Sequence, residues 1–192
     1  MQGSGEADLL PLFLKVAGKL VLVVGAGDVA ERKIDSLLEV GAQVRVVAPH
    51  ATDRVQELMR EGRIEWHARP FDDADADGVW LVFAATSVAE VQGRVAEATR
   101  ARRVFCVAVD DPSNASAYSG SVVRRPPFTI AVSSNGATPA LTRLVREVIE
   151  HVLPGPQWVE HARNLRQKWL SEQTPMKDRF AELVREVTRG GD

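Results

Sequence analysis

Three short stretches of this 192-residue chain have residue types and spacings that could do chemistry. The first is Val23-Val24-Gly25-Ala26-Gly27-Asp28-Val29-Ala30, which ends an apolar run and opens an amphipathic one. Its Gly25-x-Gly27-x-x-Ala30 spacing suits the turn that holds a dinucleotide pyrophosphate. Gly25 permits a tight turn, Gly27 has no Cβ to hold a phosphate off the backbone, and Ala30 lets the helix pack close to the sheet. The free N–H groups and partial positive charge of a helix start at Asp28 would face the phosphates. The competing reading is a strand–helix turn with no ligand. The second stretch is Val109-Asp110-Asp111-Pro112. A carboxylate at a strand end could accept a proton while a bound substrate is oxidised. On local grounds alone, turn or cap chemistry is the simpler reading of Asp110, and of Asp111-Pro112 as well. The third is Ser133-Ser134-Asn135-Gly136-Ala137-Thr138-Pro139, a loop between a strand and a helix start. It could cradle an anionic group such as a substrate carboxylate, with Ser134 and Asn135 foremost, or serve only as loop and cap.

Other nucleotide contacts are less regular. An acid that grips the adenosine ribose would fall at Val47-Ala48-Pro49-His50, and none is there. Backbone groups at Pro49 and His50 could reach the ribose instead; for His50 a plain loop histidine is the alternative. No arginine stands at that strand end, Arg54 coming a turn later, so NAD is favoured over NADP. Thr86 ends the run VWLVFAAT at the edge of the sheet where ligands bind in such folds. A helix cap by Thr86 or Ser87 explains it equally well. His50, His67, His151 and His161 lack ligand spacing with the cysteine or with one another, so no metal site is expected.

The elements that must position these residues can be read from periodicity. Residues 20–24, 44–48, 64–67, 79–85 and 104–109 read as strands, and 28–40, 53–61 and 88–102 as helices. Gly41 is placed to end the first helix. This alternation implies an α/β fold with a Rossmann-like parallel sheet over residues 1–113. Residues 113–127 are then rich in Ser, Ala, Arg and Pro. A strand is expected at 128–132 and a helix at 140–152, with Thr138 as N-cap and Pro139 at N1. One strand and one long helix leave faces to be buried, so 114–153 is expected to be a small α+β dimerisation region. After Pro154-Gly155-Pro156, residues 154–192 are expected to form a helical C-terminal region, with helices at 157–170 and 175–188 around Trp158, Leu165, Trp169 and Phe180.

Composition bounds the partners. The formal net charge is -2, which gives no electrostatic case for nucleic acid. With 45% hydrophobic residues the chain can bury a core. The single cysteine, Cys106, lies in an apolar run; it reads as a small buried hydrophobe, and a chain without an intramolecular disulfide fits a cytoplasmic location. Residues 9–24 are apolar-rich but interrupted by Lys15, Gly18 and Lys19, too broken for a membrane span. The polar start MQGSGEAD has no basic region before an apolar core, so no signal peptide is expected.

Together, Leu10-Pro11-Leu12-Phe13, VVGAGDVAERK (23–33), FCVAVDDP (105–112) and IAVSSNGATPALTRLVRE (130–147) resemble the precorrin-2 dehydrogenase / sirohydrochlorin ferrochelatase family, the N-terminal half of siroheme synthase. The resemblance reaches to about Pro154. It implies NAD-dependent oxidation of precorrin-2 to sirohydrochlorin on the route to siroheme or cobalamin, by a homodimer, with insertion of Fe2+ or Co2+ as a further activity of some members. It assigns Asp28, Val29, Pro49 and His50 to NAD, Asp110 to general-base catalysis, and Ser134 to the tetrapyrrole pocket. It also raises Arg124 and Arg125 as candidates for the substrate's carboxylates, with plain surface solvation the simpler reading of each. Three positions depart from the family pattern. Val107-Ala108-Val109-Asp110 replaces an Asn-Val-Val-Asp run, Ala117-Tyr118-Ser119-Gly120 replaces Phe-Ile-x-Pro, and Asn135 stands in a Ser-Gly-Gly loop. These bear on chelation rather than on NAD. A methyltransferase domain of the fused enzymes is not expected before Asp192. The alternative function is a non-catalytic, NAD-sensing dimeric module. A different small-substrate oxidoreductase ranks last, because Lys33 falls inside the first helix and Tyr118 is the only tyrosine.

Overall fold

The structure, a computed structural model, describes residues 9–153 and 155–189. The polar start at 1–8 and Pro154 of the expected break lie outside the described residues. The chain divides into two compact units, residues 1–119 and 120–192.

The first unit is a parallel five-stranded sheet in the order β3-β2-β1-β4-β5. Its strands are β1 (Leu20–Val24), β2 (Gln43–Val47), β3 (Glu65–His67), β4 (Leu81–Ala84) and β5 (Phe105–Ala108). The helices are α1 (Asp28–Glu39), α2 (Asp53–Arg60) and α3 (Ala89–Arg102). β1 is buried on both faces because helices cover both. Val21 and Val23 join one core with Ile34 of α1, Val46 of β2 and Leu58 of α2. Leu22 and Val24 join the other with Val82, Val95 of α3 and Cys106. Each such side chain contributes about 1.5–3 kcal/mol by leaving water. Ala30, Ile34 and Leu37 supply the buried stripe of α1. That helix stops at Gly41, whose N–H donates to Leu38 O while Ala42 N–H donates to Leu37 O. Cys106 is buried as expected, and burial pushes its thiol up from the usual value. No helix among the described residues is long and apolar enough to cross a membrane.

The second unit holds an antiparallel hairpin of β6 (Ser121–Arg125) and β7 (Phe128–Val132), then α4 (Pro139–Val152), α5 (Pro156–Ser171) and α6 (Met176–Arg189). β6 was not expected. Its sequence, Ser-Val-Val-Arg-Arg, has two apolar residues beside a proline pair, and what makes it a strand is pairing with β7. Thr138 is the N-cap residue of α4, as expected, but its hydroxyl makes no cap hydrogen bond. Trp169 is buried and donates its indole N–H to Glu182 Oε2 at 2.7 Å, and Lys168 pairs with the same carboxylate at 2.8 Å. Leu165 is also buried, whereas Phe180, expected to pack, is exposed.

A polar chain secures the β3 edge. Arg45 pairs with Glu65 at 2.9 Å, and Arg69 holds the buried Asp75 with both guanidinium nitrogens, one at 2.8 Å. Burial pushes the Asp75 carboxyl up, but Arg69 and the Asp72 N–H outweigh burial and hold it below the ordinary carboxylate range. A carboxyl lowered on folding stabilises the protein above its unfolded value, and that stabilisation is lost as pH falls through the folded value. Arg69→Ala should therefore lower the thermal midpoint at pH 7, by roughly 5 °C. The gap to wild type should narrow as pH falls below about 4, where Asp75 is protonated in the unfolded chain, and close as pH passes the lower folded value; calorimetry from pH 7 down through that range reads both.

Candidate functional site

The C-terminal ends of β1, β2, β4 and β5 are laced together by backbone hydrogen bonds. Gly25 N–H donates to Val47 O at 3.0 Å, Ala85 N–H to Val24 O at 2.8 Å, and Val109 N–H to Ala84 O at 3.0 Å. Thr52 N–H reaches back to Ala26 O at 3.1 Å, tying the loop that carries Pro49 and His50 to the glycine turn. Both of those residues are exposed there.

The two motif glycines have different tasks. Gly25 has φ +109, and a Cβ there would collide with the backbone carbonyl of Ala85 in the β4–α3 loop. Gly27 has φ -92, and a Cβ there would meet nothing within 4 Å. It is the N-cap of α1 but has no side chain to cap with, so the first N–H groups of the helix, at Asp28, Val29 and Ala30, have no side-chain acceptor from the cap. That open cradle at a helix N-terminus fits the pyrophosphate of a dinucleotide. Arg54 is engaged by Glu57 at 2.9 Å and by Asp35 at 3.8 Å, with Glu57 the main cause of its raised pKa.

Thr86 lies at the same edge. Its hydroxyl accepts from Val88 N–H at 3.2 Å just ahead of α3; Val88 and neither Thr86 nor Ser87 is the N-cap, so the cap role weighed for them in the sequence is not the one seen. Its carbonyl accepts from Gln92.

The adjacent aspartates separate cleanly. Asp111 caps the turn Pro112–Asn114, accepting from Ser113 Oγ and from Asn114 Nδ2 at 2.6 Å, and these bonds, Ser113 first, lower its pKa. Asp110 is exposed, and its carboxylate accepts no hydrogen bond from the described residues. Its backbone is left-handed, φ +58, which for a residue with a Cβ costs about 1–2 kcal/mol. The cap hydrogen bonds therefore belong to Asp111, while Asp110 stands in the turn before it, as one sequence reading expected, with a carboxylate that accepts no hydrogen bond from the described residues.

Two polar residues were not read as site residues. Lys33, half-buried in the second turn of α1, donates to Ser119 Oγ at 2.9 Å. Burial, then Arg32, lowers its pKa, and the Asp110 charge opposes them, so this ammonium and the Asp110 carboxylate feel each other. Gln92 of α3 is buried and bonded to both neighbouring loops. The signal for it was present: Gln92, Val95, Ala96 and Thr99 form the buried stripe of α3, and a glutamine stands among them.

Ser134 and Asn135 belong to the second unit. Ser134 Oγ accepts from Thr142 Oγ1 at 2.7 Å and from Thr138 N–H at 3.2 Å, holding the start of α4. Asn135 has φ +53 and Gly136 φ +81, a left-handed pair at the loop tip. Arg125 donates to Leu153 O at 2.6 Å, while Arg124 is exposed. Of the family departures, Val107 is buried in the first core, so an apolar residue sits in an apolar place. Among the described residues no group of three or more His, Cys, Asp or Glu is arranged to hold a metal ion.

Residues 12–121 match a family of putative NAD(P)-binding domains, and residues 126–151 match the central region of sirohaem biosynthesis proteins. The chain belongs to the family of putative NAD(P)-binding domains. Siroheme synthase 3 of Aeromonas hydrophila is 44% identical over 147 residues, covering 77% of this chain and 31% of the relative. The siroheme synthase of Salmonella typhi is 43% identical over 147 residues, 77% of this chain and 32% of its own length. The chain thus spans about a third of the length of these curated relatives. The solved structure of SirC, a precorrin-2 dehydrogenase, has the same fold, with a TM-score of 0.71 over 94% of this chain and all of that one at 21% identity. The family model supports a nicotinamide cofactor, and the glycine cradle fits one.

The two glycines should fail differently. Gly25→Ala should destabilise the first unit by about 2 kcal/mol or more, because neither its φ nor the Ala85 carbonyl can give way easily. Gly27→Ala should leave stability within about 0.5 kcal/mol but weaken dinucleotide binding at least tenfold (on the order of 1.4 kcal/mol). Urea denaturation beside NAD titration checks both.

Proposed function

We propose that the protein oxidises precorrin-2 to sirohydrochlorin with NAD in siroheme or cobalamin biosynthesis. The observation that carries this reading is the free Asp110 carboxylate on the sheet edge that also holds the glycine cradle. Gly25, Gly27, Asp28 and Val29 hold the pyrophosphate side of the cofactor, Pro49 and His50 the adenosine ribose, and Thr86 the crevice wall. With no acid at Val47–His50 the ribose is left to backbone groups there; what supports NAD over NADP is that Arg54 is already paired with Glu57 and Asp35 and so is not free for a 2′-phosphate. When bound, the nicotinamide accepts the hydride that the substrate loses. Asp110 takes the accompanying proton at a carboxylate oxygen that no other group occupies. General-base help of this kind is typically worth about 10²–10⁴-fold. Ser134, Asn135 and the exposed Arg124 are the groups assigned to the tetrapyrrole's carboxylates.

We further propose a cytoplasmic homodimer, with 1–113 binding NAD, 114–153 dimerising and 154–192 forming the helical region. Support comes from α4, where Leu141, Leu144, Val148 and Val152 are exposed at helical spacing, Leu144 by 55%. Sedimentation at micromolar concentration should find a dimer, and Leu144→Glu together with Val148→Glu should shift it to monomer. A wild-type monomer sinks the dimer.

The deciding experiment is an anaerobic assay of the purified protein with precorrin-2 and NAD, following sirohydrochlorin and NADH together. Both should appear in equal amounts, and Asp110→Ala should lower kcat by about 10²–10⁴-fold while NAD still binds. NAD binding without turnover by the wild type would favour the NAD-sensing reading. Adding Fe2+ or Co2+ to the sirohydrochlorin formed tests chelation in the same cuvette.

A further inference from the structure

Gln92 is the one buried glutamine on the sheet-facing stripe of α3, and it bonds to nothing on its own helix through its side chain. Its Nε2 donates to Thr86 O at 2.7 Å and to Val109 O at 3.0 Å. Both partners are carbonyls and can only accept, so the amide must present its NH2 group to them, and both hydrogens are used. The two carbonyls belong to the loops leaving β4 and β5. Val109 is the residue before Asp110, and the peptide that carries the Val109 carbonyl also carries the N–H of Asp110. Asp110 itself sits at φ +58 and receives no hydrogen bond on its carboxylate from the described residues. Its side chain is thus aimed by its backbone alone, and that backbone is pinned from below at one point by Gln92.

We propose that Gln92 is a positioning residue for Asp110: its amide clamps the β4–α3 and β5 loop carbonyls together and so fixes the direction of the proton-accepting carboxylate. This rests on the dehydrogenase reading above. The clamp needs two donors on one atom at this depth. Neither an apolar side chain nor a carboxylate supplies them, and a carboxylate would repel both carbonyls. Gly25, Gly27 and His50 lie in the loops that follow β1 and β2, outside the clamp; Thr86, which borders the cofactor crevice, shares the clamp only through its backbone carbonyl, so affinity for the dinucleotide should change little.

The test compares wild type, Gln92→Met and Gln92→Glu as full chains in the precorrin-2 assay, with thermal midpoints and NAD affinity measured beside it. Met keeps length and helix propensity and loses both donors. The expected result is that both variants fold and bind NAD within about twofold of wild type, while kcat falls by about 10–100-fold, the scale on which a displacement near 1 Å acts. The KM for NAD should stay unchanged. Folded variants with wild-type kcat overturn the proposal. So does a parallel loss of NAD affinity and kcat, which marks a general loosening of the crevice. Failure of both variants to fold overturns it as well, since it gives Gln92 a structural role and not a local one. If wild type itself does not oxidise precorrin-2, the dehydrogenase reading fails, an outcome separate from wild-type turnover with unimpaired variants.

Discussion

Everything at the sheet edge depends on the close approach of the β1–α1 turn to the β4–α3 loop. At Gly25 there is no room for a Cβ against the Ala85 carbonyl, and the backbone is left-handed. Only glycine meets both conditions without strain. That contact lets β1 and β4 run side by side to their ends, with Ala85 N–H bonded to Val24 O. α1 then starts directly above, its first N–H groups turned outward over Gly27. A larger residue at either glycine closes the space by a different route, one through the fold and one through the ligand.

The same lacing sets the second half of the site. Val109 N–H bonds to Ala84 O, and Gln92 draws the Val109 and Thr86 carbonyls together. Asp110 leaves the sheet from this fixed point. Asp111, one residue on, is fully occupied by Ser113 and Asn114 and serves the turn. Adjacent identical side chains thus have opposite fates because one faces donors that complete a cap and the other does not. The left-handed Asp110 follows directly on Val109, whose N–H and carbonyl are both bonded, so the turn starts from a fixed residue.

The sequence made the parallel sheet legible because its strands are short apolar runs bounded by Gly, Pro and Asp, and its helices carry clear stripes such as Ala30, Ile34 and Leu37. The glycine turn was legible for the same reason: spacing alone fixes what Gly25 and Gly27 can do. β6 was not legible, since Arg124, Arg125 and two prolines mask a strand defined by its partner β7. Nor was the split between Asp110 and Asp111, which depends on where Ser113 and Asn114 turn back. Lys33 looked like an ordinary helix lysine, because its proximity to Asp110 comes from the sheet order and not from the chain.

The second unit obeys a different economy. A two-stranded hairpin is marginal by itself in water, and β6–β7 gains support from α4, with Val123 and Thr142 buried. Yet the opposite stripe of α4, through Leu141, Leu144, Val148 and Val152, remains exposed. A helix hydrophobic on more than one face is under-buried as a monomer. In the first unit α1 and α3 each bury one face against the sheet and present charge on the other. The cofactor cradle and Asp110 are therefore built on a unit that completes its own core. The Ser134 loop is built on one whose apolar helix still needs covering, so the geometry of Ser134 and Asn135 should be more sensitive to assembly than that of the glycine turn.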